Sequence, residues 1–153
     1  MPLRNRVDKI KILGVTVTNQ LDWSENTDIL VKKVNQCMQL LRAVWGFGST
    51  LSELVHLWKL FCLSVLEQSC VVWGSSLTQE NKEDLELTKR SFAKLVLRDN
   101  YKDYEGALLQ LNLEKLTDRR QRLMLKLAKI GIENGHLSEY FKLRKTTHQM
   151  EEN

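Results

Sequence analysis

The residue types that most often carry chemistry are sparse here and badly spaced for it. The three histidines, His56, His136 and His148, lie far apart and stand at ligand spacing neither to one another nor to a cysteine. Cys37, Cys62 and Cys70 show no CxxC spacing and all fall in apolar stretches, as expected of buried, reduced thiols in a cytosolic or nuclear protein. There is no GxSxG, no glycine-rich phosphate loop and no HExxH. Asp8 and Asp22 are isolated and form no carboxylate pair of the kind that two-metal phosphoryl transfer needs. None of the constellations of an independent active site is present.

Basic residues are better ordered. Arg119, Arg122, Lys126 and Lys129 follow one another at steps of three, four and three. At the helical rotation per residue they fill one arc of about 80°. Leu123, Met124, Leu127, Ala128 and Ile130 cover the opposite arc. Such an arc is either the solvated side of an amphipathic helix or a stripe that follows phosphates and releases counterions. A second cluster, Lys89, Arg90, Lys94 and Arg98, is accounted for by the negative end of a helix dipole. Trp45 and Trp58 fall at core spacing, Trp73 marks a helix end, and Trp23 suits a staple at a helix start.

These residues need helices to hold them, and the composition supplies helices. The chain has 153 residues, 42% hydrophobic and 27% charged, with a single proline and seven glycines. That length suits one domain with a real core, and low Pro and Gly favour long helices over a strand-and-turn sandwich. Net charge is +4, compatible with a nucleic-acid partner without requiring one. No apolar h-region follows the basic N-terminus, so secretion is not expected and a nuclear or cytoplasmic location is. The most apolar window, 54–73, contains His56, Lys59, Glu67 and Gln68 and reads as a core helix, with no membrane partner.

The expected fold is mainly α: a bundle of four to five helices behind a short N-terminal β element. Residues 10–17 read as one β-branched strand with Gly14 at a bend. Its partner is either residues 3–7 or a strand outside the chain. Asp22 or Ser24 caps a first helix that ends at Gly46-Phe47-Gly48. Thr50 and Glu53 form a capping box for a helix over 51–71, apolar almost all round, that should be central and should bury Leu57, Phe61 and Val65. Thr78 caps a third helix over 79–97, with its acids first and its bases last. A short helix over 104–111 follows. Thr117 or Asp118 caps a last helix, closed by Gly135. Residues 136–153 read as a weakly ordered tail.

Four blocks carry a resemblance. Lys11 to Val17, then Leu21-Asp22-Trp23-Ser24 and Lys32-Lys33-Val34, resemble K-x-L-G-V-x-I/V-D-x-x-L-x-W followed by a basic helix pair. Val65-Leu66-Glu67, running on to Val72-Trp73-Gly74, resembles V-L-E-Y-G-x-x-V-W. Leu85-Glu86 with Lys89-Arg90 and Phe92 resembles L-E-x-x-Q-K/R-x-A/F. Leu111 to Leu116 with Asp118-Arg119-Arg120 resembles L-x-L-x-x-L-x-x-R-R. In this order, over about residues 9–129, the blocks resemble the post-palm region of non-LTR (LINE, jockey-like) retrotransposon reverse transcriptases. Asn19, Gln68 and Thr88 depart from the family's usual Asp, Tyr and Gln.

The resemblance implies a division of labour. Residues 1–22 would be a primer-grip-like β element, where Gly14 lets backbone approach the primer end. Residues 23–99 would be three thumb helices that brace the template–primer duplex, and 100–135 a helical connector. Lys11, Gly14, Lys32 and Lys33, with Arg119, Arg122, Lys126 and Lys129, are the implied nucleic-acid contacts, and an RNA/DNA template–primer duplex the implied partner. The family's palm, with its F/Y-x-D-D carboxylates and Mg ions, would lie upstream of Met1. This chain would then hold no cofactor and polymerise nothing alone. The rival expectation is a degenerate or repurposed fragment that serves as a helical protein-interaction module.

Overall fold

The computed structural model describes residues 7–134, so the expected tail, the Gly135 helix stop and residues 3–6 lie outside the described residues. The chain is mainly helical, with a two-stranded N-terminal sheet. Strands β1 (Lys9–Ile12) and β2 (Val15–Thr18) pair antiparallel, Ile12 opposite Val15 and Lys9 opposite Thr18. The single strand expected over 10–17 is therefore a hairpin. Leu13 (φ 49°) and Gly14 (φ 85°) both take left-handed backbone, the two-residue turn whose twist matches that of paired strands. The outer edge of β2 is met by the next helix, where Asn26 Oδ1 accepts the Thr16 N–H at 3.3 Å. β1 is exposed throughout.

Helix α1 (Ser24–Gly46) starts where Asp22 Oδ1 accepts the Ser24 N–H at 3.0 Å and the Ser24 hydroxyl at 2.8 Å. It buries Leu30, Val34, Met38 and Leu41. The Thr50–Glu53 capping box forms as expected, with bonds of 2.8 and 3.3 Å. It opens a rod made of α2 (Leu51–Leu57), a π-helical stretch (Trp58–Leu63) and α3 (Ser64–Glu67). Ser69, at φ 54°, breaks the rod, and α4 (Cys70–Trp73) leaves it bent by 45°. No single helix among the described residues is long and apolar enough to cross a membrane.

This rod is not covered all round. It buries Leu54, Trp58, Cys62 and Leu66 at steps of four, while Leu57 and Val65 are half-buried and Phe61 is 56% exposed. Steps of four overshoot an α-turn of 3.6 residues, and the wider π-turn absorbs the excess. That keeps one buried row in line, brings Leu63 inward and turns Phe61 out.

Helix α5 (Gln79–Leu97) starts at Thr78, whose hydroxyl accepts the Asn81 N–H at 3.1 Å. It runs in the same direction as α1: Asn81 reaches Ser24 at their first turns, and Arg98 covers Trp45 at their ends. These two helices pack directly on each other, and the rod lies against α1 and meets α5 where Trp58 stacks on Phe92 at 4.5 Å between ring centroids. Helices α6 (Tyr104–Gln110) and α7 (Leu116–Glu133) then lie against α5 and α4.

The stack and the exposed ring make opposite predictions. Phe92 is fully buried, so Phe92→Ala should cost about 3–5 kcal/mol. Phe61→Ala should cost about 1 kcal/mol or less. Urea unfolding of the two variants checks both values.

Candidate nucleic-acid interface

The charges of this protein divide between an interior network and a surface row. The network starts with Lys89, which is 1% exposed although it stands among residues that look like a solvated helix end. Its ammonium donates to the Glu114 carbonyl oxygen. Burial pulls its pKa from 10.5 down to about 8, against the raising effect of the Glu86 carboxylate. Glu86 accepts the Tyr104 hydroxyl on one oxygen and the Leu116 N–H, at 2.9 Å, on the other. Burial, and then this bond, push the Tyr104 phenol well above its ordinary range. The first free N–H of α7 is thus capped by a carboxylate 30 residues earlier in the chain, not by Thr117 or Asp118 as the sequence suggests.

Arg119 closes the network from α7. Its Nε and Nη2 donate to the two Glu67 oxygens, the second at 3.2 Å, and its Nη1 donates to Glu114 Oε1 at 3.3 Å. The Glu67 bond holds the guanidinium pKa above its ordinary value. Arg120 is 3% exposed beside it. Its Nη2 lies 3.5 Å from Thr117 Oγ1, and its Nη1 has no hydrogen-bond partner. Three of the four sequence blocks therefore meet in space: Glu67 from the second, Glu86 and Lys89 from the third, Arg119 and Arg120 from the fourth.

Acids take up three of the four cations of the basic arc on α7, two of them through this network. Arg119 is bound to Glu67 and Glu114, Arg122 donates to Glu114, and Lys129 lies 3.9 Å from Glu133. Lys126 alone of the four has no ion-pair partner among the described residues. The arc is thus not an open row of cations. The acids that hold Arg119 and Arg122 come from α3 and from the loop before α7, beyond the reach of helical spacing, whereas Glu133, one turn after Lys129, is legible within α7 itself.

Lys11, on β1, and Lys32, on α1, are exposed; Lys33 is half-buried, and none of them forms an ion pair among the described residues. Gly14 does permit a close approach, but of the chain to itself. A Cβ there would lie 2.8 Å from Gln68 Nε2, so the hairpin turn is seated on the break after α3.

A further set of exposed cations without ion-pair partners among the described residues lies along α5 and at its C-cap. Arg90 and Lys94 stand about 6 Å apart along the axis, and Arg98 follows four residues later at the C-cap. Each lies over an aromatic ring from another segment: Arg90 over Tyr104 at 4.9 Å, Lys94 over Tyr101 at 5.5 Å, Arg98 over Trp45 at 5.1 Å. Each contact is worth about 0.5–1 kcal/mol at an exposed position. Among the described residues none of the three forms an ion pair. The helix dipole explains their position in sequence, but not the three rings beneath them; Tyr101 and Tyr104, a few residues downstream, were the available signal.

Nothing among the described residues gathers three or more metal-ligating side chains. Asp8 is engaged with Asn19, and Asp22 with Ser24. Cys62 is fully buried, and burial together with its Cys37 neighbour pushes its thiol up to about 12, which suits packing and not nucleophilic attack. His56 is exposed on α2. An apolar cleft of ≈ 280 Å³ lies between α1 and the rod, lined by Cys37, Leu40, Leu41, Val44, Leu57 and Phe61. The chain matches no protein-family model, no curated protein and no solved structure.

The buried ammonium carries a pH signature. Folding lowers the Lys89 pKa, so between about pH 8 and 10.5 the unfolded chain holds more protons there than the folded one. Stability then rises with pH across that window. The stability of the parent minus that of Lys89→Met should climb by up to about 3 kcal/mol between these limits. Denaturant unfolding of both chains at a series of pH values reads the difference directly.

Proposed function

We propose that this chain is a thumb-side portion of a non-LTR retrotransposon reverse transcriptase, that it bears on the backbone of the template–primer duplex, and that it does not polymerise on its own. The observation that carries this reading is the meeting of Glu67, Glu86, Lys89, Arg119 and Arg120 in one charge network. Blocks that resemble a family only by order along a chain have no reason to converge in space unless they belong to one folded unit. Three parallel and antiparallel helices with a docked connector suit a brace, and the exposed cations suit a phosphate backbone.

A second reading has its own observation. Leu40, Leu60 and Phe61 are each more than half exposed around the apolar cleft, and Phe47 is 90% exposed at the end of α1. Such a surface fits a protein partner. Salt separates the two readings, because backbone binding releases counterions and apolar contact does not.

The test is fluorescence anisotropy of a labelled RNA–DNA hybrid titrated with the purified chain at several salt concentrations. The expected result is sequence-independent binding that weakens steeply between about 50 and 200 mM salt, with no nucleotide incorporation at a primed template. Absence of binding at the lowest salt would overturn the thumb reading and favour the interaction module.

A further inference from the structure

We propose that Arg90 and Lys94 on α5, with Arg98 at its C-cap, each held over an aromatic ring, form the surface that follows a nucleic-acid phosphate backbone, and that α7 is not that surface. The inference rests on the thumb reading and assigns its contact residues.

The first argument is availability. On α7, a phosphate that approached Arg119 or Arg122 would have to displace Glu67 or Glu114, and one that approached Lys129 would meet Glu133. On α5 the nearby acids are engaged elsewhere: Glu86 accepts the Tyr104 hydroxyl and the Leu116 N–H, and Glu83 accepts from Gln79 at 3.0 Å. Glu105, at the start of α6, is drawn off to Lys115 at 2.6 Å, and Asp99 forms no ion pair among the described residues.

The second argument is preorganisation. A free lysine or arginine loses rotamer freedom when it binds a phosphate. Here Tyr104, Tyr101 and Trp45 already fix where the three cations lie. A guanidinium has five N–H donors, so one held over a ring still has donors to offer a phosphate oxygen. The rings come from α6, from the segment before it and from α1, so the row forms only when the bundle and the connector are assembled.

The third argument is spacing. Arg90 and Lys94 stand one turn, about 6 Å, apart on one side of α5, and Arg98 follows at the C-cap, four residues further on. That places them in a line along which successive phosphates of one strand can be met. No base-reading group is in the row, so the contact is to backbone and carries no sequence preference.

Anisotropy of a 20-base-pair RNA–DNA hybrid, measured from 50 to 200 mM salt on the whole chain, tests the assignment. Against the parent, R90Q/K94Q/R98Q should flatten the slope of log affinity against log salt by about 2–3, near 0.9 per lost phosphate contact on B-form duplex. K126Q/K129Q should change it by less than about 1. Tyr101→Leu keeps every charge and frees Lys94; it should weaken binding severalfold with a slope close to the parent's. Lys94→Gln alone, at an exposed position, should still flatten the slope by about 0.9 if the triple variant folds poorly. If the parent binds and both α5 variants keep its slope, the row is overturned and the thumb reading stands. If the parent does not bind the hybrid, the thumb reading falls, and the row with it.

Discussion

An ammonium in the interior of a helical protein needs partners, and much of the architecture beyond the first three helices follows from meeting that need at Lys89. Two guanidiniums enter the same region from α7, Arg119 partly and Arg120 almost wholly buried. Against these three cations stand three carboxylates, Glu67, Glu86 and Glu114. Replacing such a group with well-packed apolar residues is often neutral or stabilising, whereas removing one member strands a charge. Its value here is positional. Glu86 fixes the first turn of α7 through the Leu116 N–H and holds α6 through Tyr104, and Glu67 ties the end of the rod to α7. The connector is docked by geometry that apolar contact alone would not specify.

Docking by charge determines what remains outside. The arginines that begin the α7 arc are turned toward the protein's own acids, and the helix past them is only shallowly packed, with Leu125, Leu127, Ile130 and Ile132 each at least 40% exposed. The same docking brings Tyr104 and Tyr101 under Arg90 and Lys94. Interior neutralisation and exterior preorganisation are therefore two sides of one packing event, centred on α5: Lys89 faces inward, and Arg90, the next residue, faces solvent.

What the sequence revealed was local, and what it hid was tertiary. The Thr50–Glu53 box and the Thr78 cap depend on residues within a turn of one another, and both are present. The hairpin was missed because β-branched residues continue on both sides of Leu13-Gly14, although a glycine in a two-residue gap is itself a turn signal. Phe61 was misjudged because a π-turn rotates the rod's register, and residue spacing assumes an α-helix throughout. The α7 cap and the partners of Arg119 come from 30 and 52 residues away, beyond the reach of any periodicity. The candidate site shows the same division: the basic residues were visible, but which were already neutralised was not.

The measurement that bears most directly on the shared network is a double-mutant cycle on folding stability with Glu67→Gln and Arg119→Gln. These residues belong to two of the sequence blocks and meet across α3 and α7 through two hydrogen bonds. A coupling energy of about 1–3 kcal/mol between the two substitutions is the expected result. Single-variant effects that add to within about 0.5 kcal/mol would mean that the blocks do not act on one another, and would remove the physical basis for reading them as one unit.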